Sequence, residues 1–285
     1  MNKLLKLIRL VLNWLYWRTI MQVSILRPHN IIIEGRLRLC AFSNINIDKK
    51  SRLVVRGNLK LKKSKLHLKD STAELADHSS LQGTSIVLTS SQWNSGSHLR
   101  AFDFNIKLNR SSLNAGPHLM LWRAPFEDGW ILAEQSELNV GENVRIESKL
   151  HCDHSSFTTG SNVFLNNGTE LRCHQKISIG SDVLVSYGCI IFDTNTHSLD
   201  VESRRREIHN GFPNNTIQSA AEQAEKKPIS IGNGAWVGMR AVILKGSIIG
   251  NNAIVGTCCV VGGNVPDGQI AVGNPFTLKS PKNNK

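Results

Sequence analysis

Ile231, Val237, Ile243, Ile249, Val255 and Val261 follow one another at intervals of six, and each is Ile or Val. One place later stand Gly232, Gly238, Leu244, Gly250, Gly256 and Gly262. Four places later stand the small residues Ala235, Ala241, Ser247, Ala253 and Cys259. A helix wants apolar residues three and four apart and a half-buried strand wants alternation, so neither produces a period of six. Short strands joined by sharp corners, three to a coil, do produce it. The aliphatic residue then stacks on its counterparts in adjacent coils, the small one lets the corner close, and glycine permits corner dihedrals that a Cβ obstructs. The pattern predicts an all-β parallel solenoid.

The same beat runs upstream through Ile179, Val185 and Ile191, through Leu165, Leu171 and Ile177, and through Val140, Ile146 and Cys152. Its phase slips near Thr158 and Ser178, which a bulge or a longer corner would absorb. Further back it thins to Ile47, Leu53 and Leu59, then Leu75, Leu81 and Val87, then Leu113 and Leu119. Residues 31–87 therefore read as irregular solenoid. The stretch 89–130, with Trp93, Trp122 and Trp130, reads as a decorated coil or a small subdomain.

After Ile191 the count fails for almost forty residues and resumes at Ile231. The interruption opens "FDTNTHSLD" and is polar throughout. An excursion this long from a regular scaffold is functional or disordered. His197 stands at its root, flanked by Asp193, Asn195 and Asp200, where a rigid coil can position an imidazole.

The first residues differ in kind. On a helix, Lys3, Lys6, Arg9 and Asn13 share one narrow face, while Leu4, Leu7, Ile8, Val11, Trp14 and Leu15 cover a broad apolar one. The apolar run is far short of the ~20 residues that span a bilayer. Residues 1–25 suit an interfacial helix, or one that packs on the solenoid or in a subunit contact, and amphipathicity does not choose between these.

Composition narrows the classes. Aromatic residues make up 6% of the 285-residue chain, as a narrow aliphatic prism requires. The six cysteines include no CxxC pair, and Cys189 and Cys259 fall in the small inward slot, which suits buried reduced thiols in a cytoplasmic protein. A net charge of +12 suits an anionic partner such as a phosphate-bearing cofactor or membrane surface. No recognition-helix, RNA-binding-strand or zinc spacing points to nucleic acid.

From about Leu165 to Lys279 the chain resembles the hexapeptide-repeat acyltransferases, close to bacterial sugar O-acetyltransferases of the maltose, galactoside and capsular-polysaccharide type. "IGNGAWVGMRAVILKGSIIGNNAIVG" and "VPDGQIAVGNP" match their terminal coils, and "DTNTHSLD" resembles their catalytic-histidine loop. The resemblance implies a left-handed parallel β-helix, a homotrimer, acetyl-CoA as donor, no metal, and an active site between subunits. It implies His197 as general base, a backbone N–H near Met239 as oxyanion donor, and Asn166 in the acceptor pocket. It places Trp236 beside the pantetheine arm, with Gly238, Met239, Gly256 and Thr257 along its path. Two departures stand out: Gly262-Gly263 replaces the usual Thr-Lys, and Thr277 replaces a basic residue, which leaves Lys279 for the phosphates. The group that orients His197 stays open among Asp193, Asp200 and a backbone carbonyl.

The expected organisation is an amphipathic helix over 1–27, a β-helix domain over 28–278 with irregular coils to about 135 and a protruding loop at 193–228, and a basic tail over 279–285. The expected activity is O-acetylation of a sugar hydroxyl in surface or capsular polysaccharide biosynthesis, in the cytoplasm or on the cytoplasmic face of the inner membrane. An antibiotic O-acetyltransferase and a non-catalytic interaction scaffold are the alternatives. A γ-type carbonic anhydrase would need three zinc histidines; His151, His154 and His174 lack that spacing.

Overall fold

The computed structural model describes residues 137–147, 149–153, 156–214 and 224–280, together with the backbone of the strands between 24 and 134. Side chains are described for 138–147, 150, 156–209 and 224–280. The chain divides into two compact units, Met1–Glu147 and Ser148–Lys285.

In the second unit three parallel ladders carry the aliphatic stacks. Face one joins Lys149–Asp153, Glu170–Cys173, Ile190–Phe192, Val242–Ile243 and Val260–Val261. Its registers align Leu150, Leu171, Ile191, Ile243 and Val261, all at most 1% exposed. Face two joins Ser156–Thr159, Lys176–Ile179, Ile229–Ile231, Ile248–Ile249 and Asn264–Val265. Face three joins Phe164–Leu165, Leu184–Val185, Trp236–Val237, Ile254–Val255 and Ile270–Val272, and Thr277–Lys279 closes it antiparallel. The six aliphatic residues from Ile231 to Val261 thus visit the three faces in turn, and Ala235, Ala241, Ser247, Ala253 and Cys259 are buried at the corners.

The phase slip has a simple cause. On face two the strands Ser156–Thr159 and Lys176–Ile179 are four residues long, and Ile177 and Ile179 both point inward around Ser178. The coil is lengthened within a strand rather than by a bulge. Glycine is dictated at a second corner. A Cβ on Gly180 would clash with the Asn233 side chain, and one on Gly250 with that of Asp267. Those side chains accept the backbone N–H groups of Ser181 and Asn251 from the preceding coil.

In the first unit most ladder registers advance by about twenty residues per coil, not by the eighteen that three steps of six require. Ladder registers align Leu53, Ala73, Trp93 and Leu113, and likewise Leu61, Leu81, Ala101 and Leu121. A third ladder aligns Ile25, Ile45, Leu66, Ile86 and Ile106. The described strands between 89 and 130 therefore belong to the ladders, and Leu61 and Leu121 occupy rungs where the count of six pointed to Leu59 and Leu119. Ser24–Leu26 is a strand, not the end of a helix: its pairing with Asn44–Asn46 overrides local amphipathicity. The remainder of the expected N-terminal helix and residues 281–285 of the tail lie outside the described residues. Among the described residues, no helix is long and apolar enough to cross a membrane.

Candidate active site

The interruption in the count is a closed structure at its root. Thr194 and Lys226 form an antiparallel bridge, Asn195 N–H donates to the Glu225 carbonyl at 3.0 Å, and Lys227 N–H donates to the Asp193 carbonyl at 2.9 Å. Asp193 is fully buried. Its carboxylate accepts the backbone N–H groups of His174, Gln175 and Lys176 at 2.7, 2.6 and 2.8 Å, tying the root to the corner of the preceding coil. Asp193 is thus a structural anchor, and a buried carboxylate supplied with three donors is well compensated.

Beyond the root the backbone turns sharply. His197 N–H donates to the Asn195 carbonyl at 2.7 Å across Thr196, whose φ is 67°. This is a γ-turn of the rare, strained form, and at a β-branched residue it costs on the order of 1–3 kcal/mol. Asp200 then caps the helix Val201–Asn214: its carboxylate accepts the Ser203 N–H at 2.7 Å, which holds the Asp200 carboxyl below its ordinary pKa. Arg204 clamps the helix to the loop by donating to the carbonyls of Ser198 and Leu199 at 2.9 and 2.7 Å.

The helix delivers the residue that the sequence did not reveal. Glu207 Oε1 lies 2.6 Å from His197 Nδ1, with the carboxylate 10% exposed and the imidazole 55% exposed. A carboxylate only accepts hydrogen bonds, so opposite it a neutral imidazole carries its proton on Nδ1 and has Nε2 as its acceptor. Asp193 and Asp200, the two carboxylates flanking His197, are both engaged elsewhere.

The other expected residues gather at the corner that follows face three. Four consecutive coils turn there, at Asn166–Thr169, Ser186–Cys189, Gly238–Ala241 and Gly256–Cys259. The third residue of each has positive φ: Gly168 69°, Gly188 69°, Arg240 55° and Cys258 57°. That is the signature of a type II turn. At the first turn residue, Asn166, Ser186, Gly238 and Gly256 donate their N–H groups to Val185, Val237, Val255 and Ala271. At the third, Gly188, Arg240 and Cys258 donate to Asn167, Tyr187 and Met239. The second residue differs. Asn167 N–H is taken by its neighbour's Asn166 Oδ1 at 2.7 Å, whereas the N–H groups of Tyr187, Met239 and Thr257 have no partner among the described residues. The corner is a column of outward backbone donors in successive coils. Gly238 is fixed by this stacking, since a Cβ there would lie 2.8 Å from both Thr257 N and Val255 O.

Trp236 lies just before this corner on the outer side of face three, 48% exposed, and its Nε1–H donates to Ser186 Oγ at 3.2 Å. Lys279 is exposed on the closing strand, opposite Ile270. Gly262 and Gly263 have ordinary φ, and Phe276 approaches the position of a Gly263 Cβ at 3.9 Å. Asn166, Gly238, Met239, Gly256 and Thr257 thus share one corner with Trp236 beside it. His197 lies at the next corner, beyond the face-one strand Ile190–Phe192. Among the described residues no group of three or more His, Cys, Asp or Glu side chains could hold a metal ion; the side chains of His151 and His154 lie outside them. Cys189 and Cys259 are buried free thiols, and burial raises the pKa of each.

Residues 228–263 match the family model for the bacterial transferase hexapeptide (six repeats). A probable acetyltransferase of Mycobacterium tuberculosis is 28% identical over 144 residues, which are 50% of this chain and 43% of that protein. The galactoside O-acetyltransferase of Escherichia coli is 26% identical over 145 residues, 50% of this chain and 64% of that one. The chain spans less than two thirds of either relative's length. Among solved structures, a polySia-specific acetyltransferase superposes with a TM-score of 0.47 at 14% identity, covering 88% of this chain and 87% of that chain.

Proposed function

We infer that this chain, which carries the bacterial transferase hexapeptide repeat in residues 228–263, is an acetyl-CoA-dependent O-acetyltransferase acting on a sugar hydroxyl, with surface polysaccharide as the setting. The observation that carries the reading is the His197–Glu207 pair, which engages Nδ1 of a half-exposed imidazole and leaves Nε2 as the nitrogen to accept a proton. The names of the curated relatives support acetyl transfer, and the galactoside enzyme supports a sugar acceptor.

His197 Nε2 takes the proton of the acceptor hydroxyl as its oxygen attacks the thioester carbonyl. Glu207 steadies the imidazolium that forms. The carbonyl oxygen becomes an oxyanion, for which the unpaired Met239 N–H is a preorganised donor. The intermediate collapses with cleavage of the C–S bond, and the proton on His197 passes to the departing thiolate of CoA. Trp236, steadied by Ser186, flanks the pantetheine arm, and the corner at Gly238, Gly256 and Thr257 lines its path. Lys279 is the basic residue available to the phosphates, and Asn166 borders the acceptor side.

Met239 and His197 sit at opposite ends of face one, in adjacent coils. The three residues of Ile190–Phe192 correspond to about 10 Å at ~3.3 Å per residue, so a neighbouring copy is the natural source of the facing histidine. In a closed ring whose axis follows the coils, corners at the same level meet, which supports a homotrimer. Exposed Leu184, Trp236, Ile190, Leu244 and Ile248 supply apolar surface for such contacts.

Incubating the full chain with acetyl-CoA and a panel of p-nitrophenyl glycosides, and reading free thiol, tests the activity. Sugar-dependent thiol release is expected. Its absence with every glycoside overturns the reading, and a fully active monomer by light scattering overturns the trimer.

A further inference from the structure

Resting on that reading of the corner, we propose that Tyr187 is the wall against which the acceptor lies, and that the acceptor is a pyranoside whose apolar ring face stacks on the phenol. Tyr187 is the second residue of its turn, one coil before Met239, and its carbonyl accepts the Arg240 N–H at 3.1 Å. Its backbone is therefore fixed in the column that holds the oxyanion donor. Its side chain is 49% exposed, and its hydroxyl has no partner among the described residues.

Three observations separate Tyr187 from the other members of the column. The corresponding residue one coil earlier, Asn167, has its N–H closed off by Asn166, so the open part of the column begins at Tyr187. The residue before it, Ser186, accepts the Trp236 indole N–H and so links this coil to the cofactor side. Most directly, Tyr187 belongs to the same coil as the loop root: the strand Ile190–Phe192 follows it and Asp193 comes next. When equal levels of two copies meet, one copy's Tyr187 faces the other's His197, and Met239 lies one coil further on. The hydroxyl to be acetylated must lie between the base and the thioester, so the rest of the acceptor extends toward Tyr187. A flat ring beside an unpaired N–H suits a saccharide, which offers a C–H face for stacking and hydroxyls for the donor.

The test uses the full chain with Tyr187→Ala and Tyr187→Phe, p-nitrophenyl galactoside and glucoside as cyclic acceptors, and glycerol as an acyclic one. Tyr187→Ala should raise KM for the glycosides roughly 3–10-fold, the effect of losing one stacked ring, with KM for acetyl-CoA and the oligomer unchanged. Glycerol, which has no ring face, should show no such penalty, and Tyr187→Phe should retain the stacking. An unchanged glycoside KM in Tyr187→Ala overturns the proposal while leaving acyl transfer standing. So does an equal loss with glycerol, a matching rise in acetyl-CoA KM, or dissociation of the oligomer. A wild-type chain that acetylates no glycoside instead overturns the acyl-transfer reading itself.

Discussion

Two corners of the same solenoid contrast in how they create chemistry. At the corner after face three nothing interrupts the repeat, and the chemistry arises from repetition. Each coil places the second residue of a type II turn with its N–H outward, and where no side chain closes it off, the donor stays open, as at Tyr187, Met239 and Thr257. At the corner after Ile190–Phe192 the repeat is broken by a long insertion. Its polar groups are tied down by a buried anchor at Asp193, a cap at Asp200, a clamp at Arg204 and a strained turn at Thr196. The regular corner offers preorganised dipoles, and its thiols Cys189 and Cys259 are buried. The broken one holds the side chain that can move a proton. On the proposed mechanism the repeating coils supply the oxyanion donor and the insertion supplies the base.

The sharpest way to break this contrast is to remove the base. His197→Ala should lower acetyl transfer by ~10²–10⁴-fold, measured as thiol release under saturating substrates. Acetyl-CoA affinity by calorimetry should not change, because the expected contacts lie at the uninterrupted corner. Retained activity would mean that the interruption is not where the proton goes.

The regular corner can be probed by deleting one hydrogen atom's worth of function. Proline suits the second position of a type II turn and has no N–H, so Met239→Pro should fold normally and lose the oxyanion donor. A drop in kcat of ~10²–10³-fold is expected, with circular dichroism and thermal midpoint near wild type. A fully active, folded Met239→Pro would remove the N–H column from the mechanism.

Next in size is the link that orients the base. Glu207→Gln keeps the shape but replaces the carboxylate acceptor with an amide. Hydrogen bonds to charged groups contribute about 1.5–3 kcal/mol, so kcat should fall by roughly 10–10²-fold while KM for acetyl-CoA stays put. Wild-type kcat in this variant would leave His197 without an orienting role for Glu207.

The two corners were unequally legible. Met239, Gly238, Gly256, Thr257 and Asn166 fall on one corner because the period of six fixes the position of every residue in a coil, and glycine at 238 is demanded by a backbone approach of 2.8 Å. Glu207 follows no period. It reaches His197 through the cap, the clamp and the direction of one short helix, all of which are tertiary facts. Tyr187 carries no signal in the sequence, because the second turn position accepts almost any side chain and only the level of the coil sets it beside the loop root. In the first unit the count of six failed for a related reason. Most of its coils advance by about twenty, as from Leu53 to Ala73 to Trp93, and unequal strand and corner lengths hide a spacing that the ladder registers expose.

The smallest effect concerns how the broken corner is closed. Glu225 lies between Lys227 and Lys245, 2.9 Å from each ammonium, where the loop returns to the coils. Hydrogen bonds from Lys227 and Lys245 hold the Glu225 carboxyl at about 2, below its usual 4.5. A depressed folded-state pKa means that this stabilisation is fully present above about pH 4.5 and is lost as pH falls toward 2. The pairs are exposed, so the effect is modest and screened by salt. Glu225→Gln should remove it at neutral pH and flatten the acid dependence of the root between those limits. Hydrogen exchange at the amides of Asn195 and Lys227, whose partners are the carbonyls of Glu225 and Asp193, reads that root directly. In the wild type, protection should decline from pH 4.5 to 2 beyond the intrinsic pH dependence of exchange, and it should decline less in 0.5 M salt, where the pair has less to lose. If the variant shows the same acid-dependent decline as the wild type, Glu225 does not close the loop, and Asp193 alone anchors the corner that carries the base.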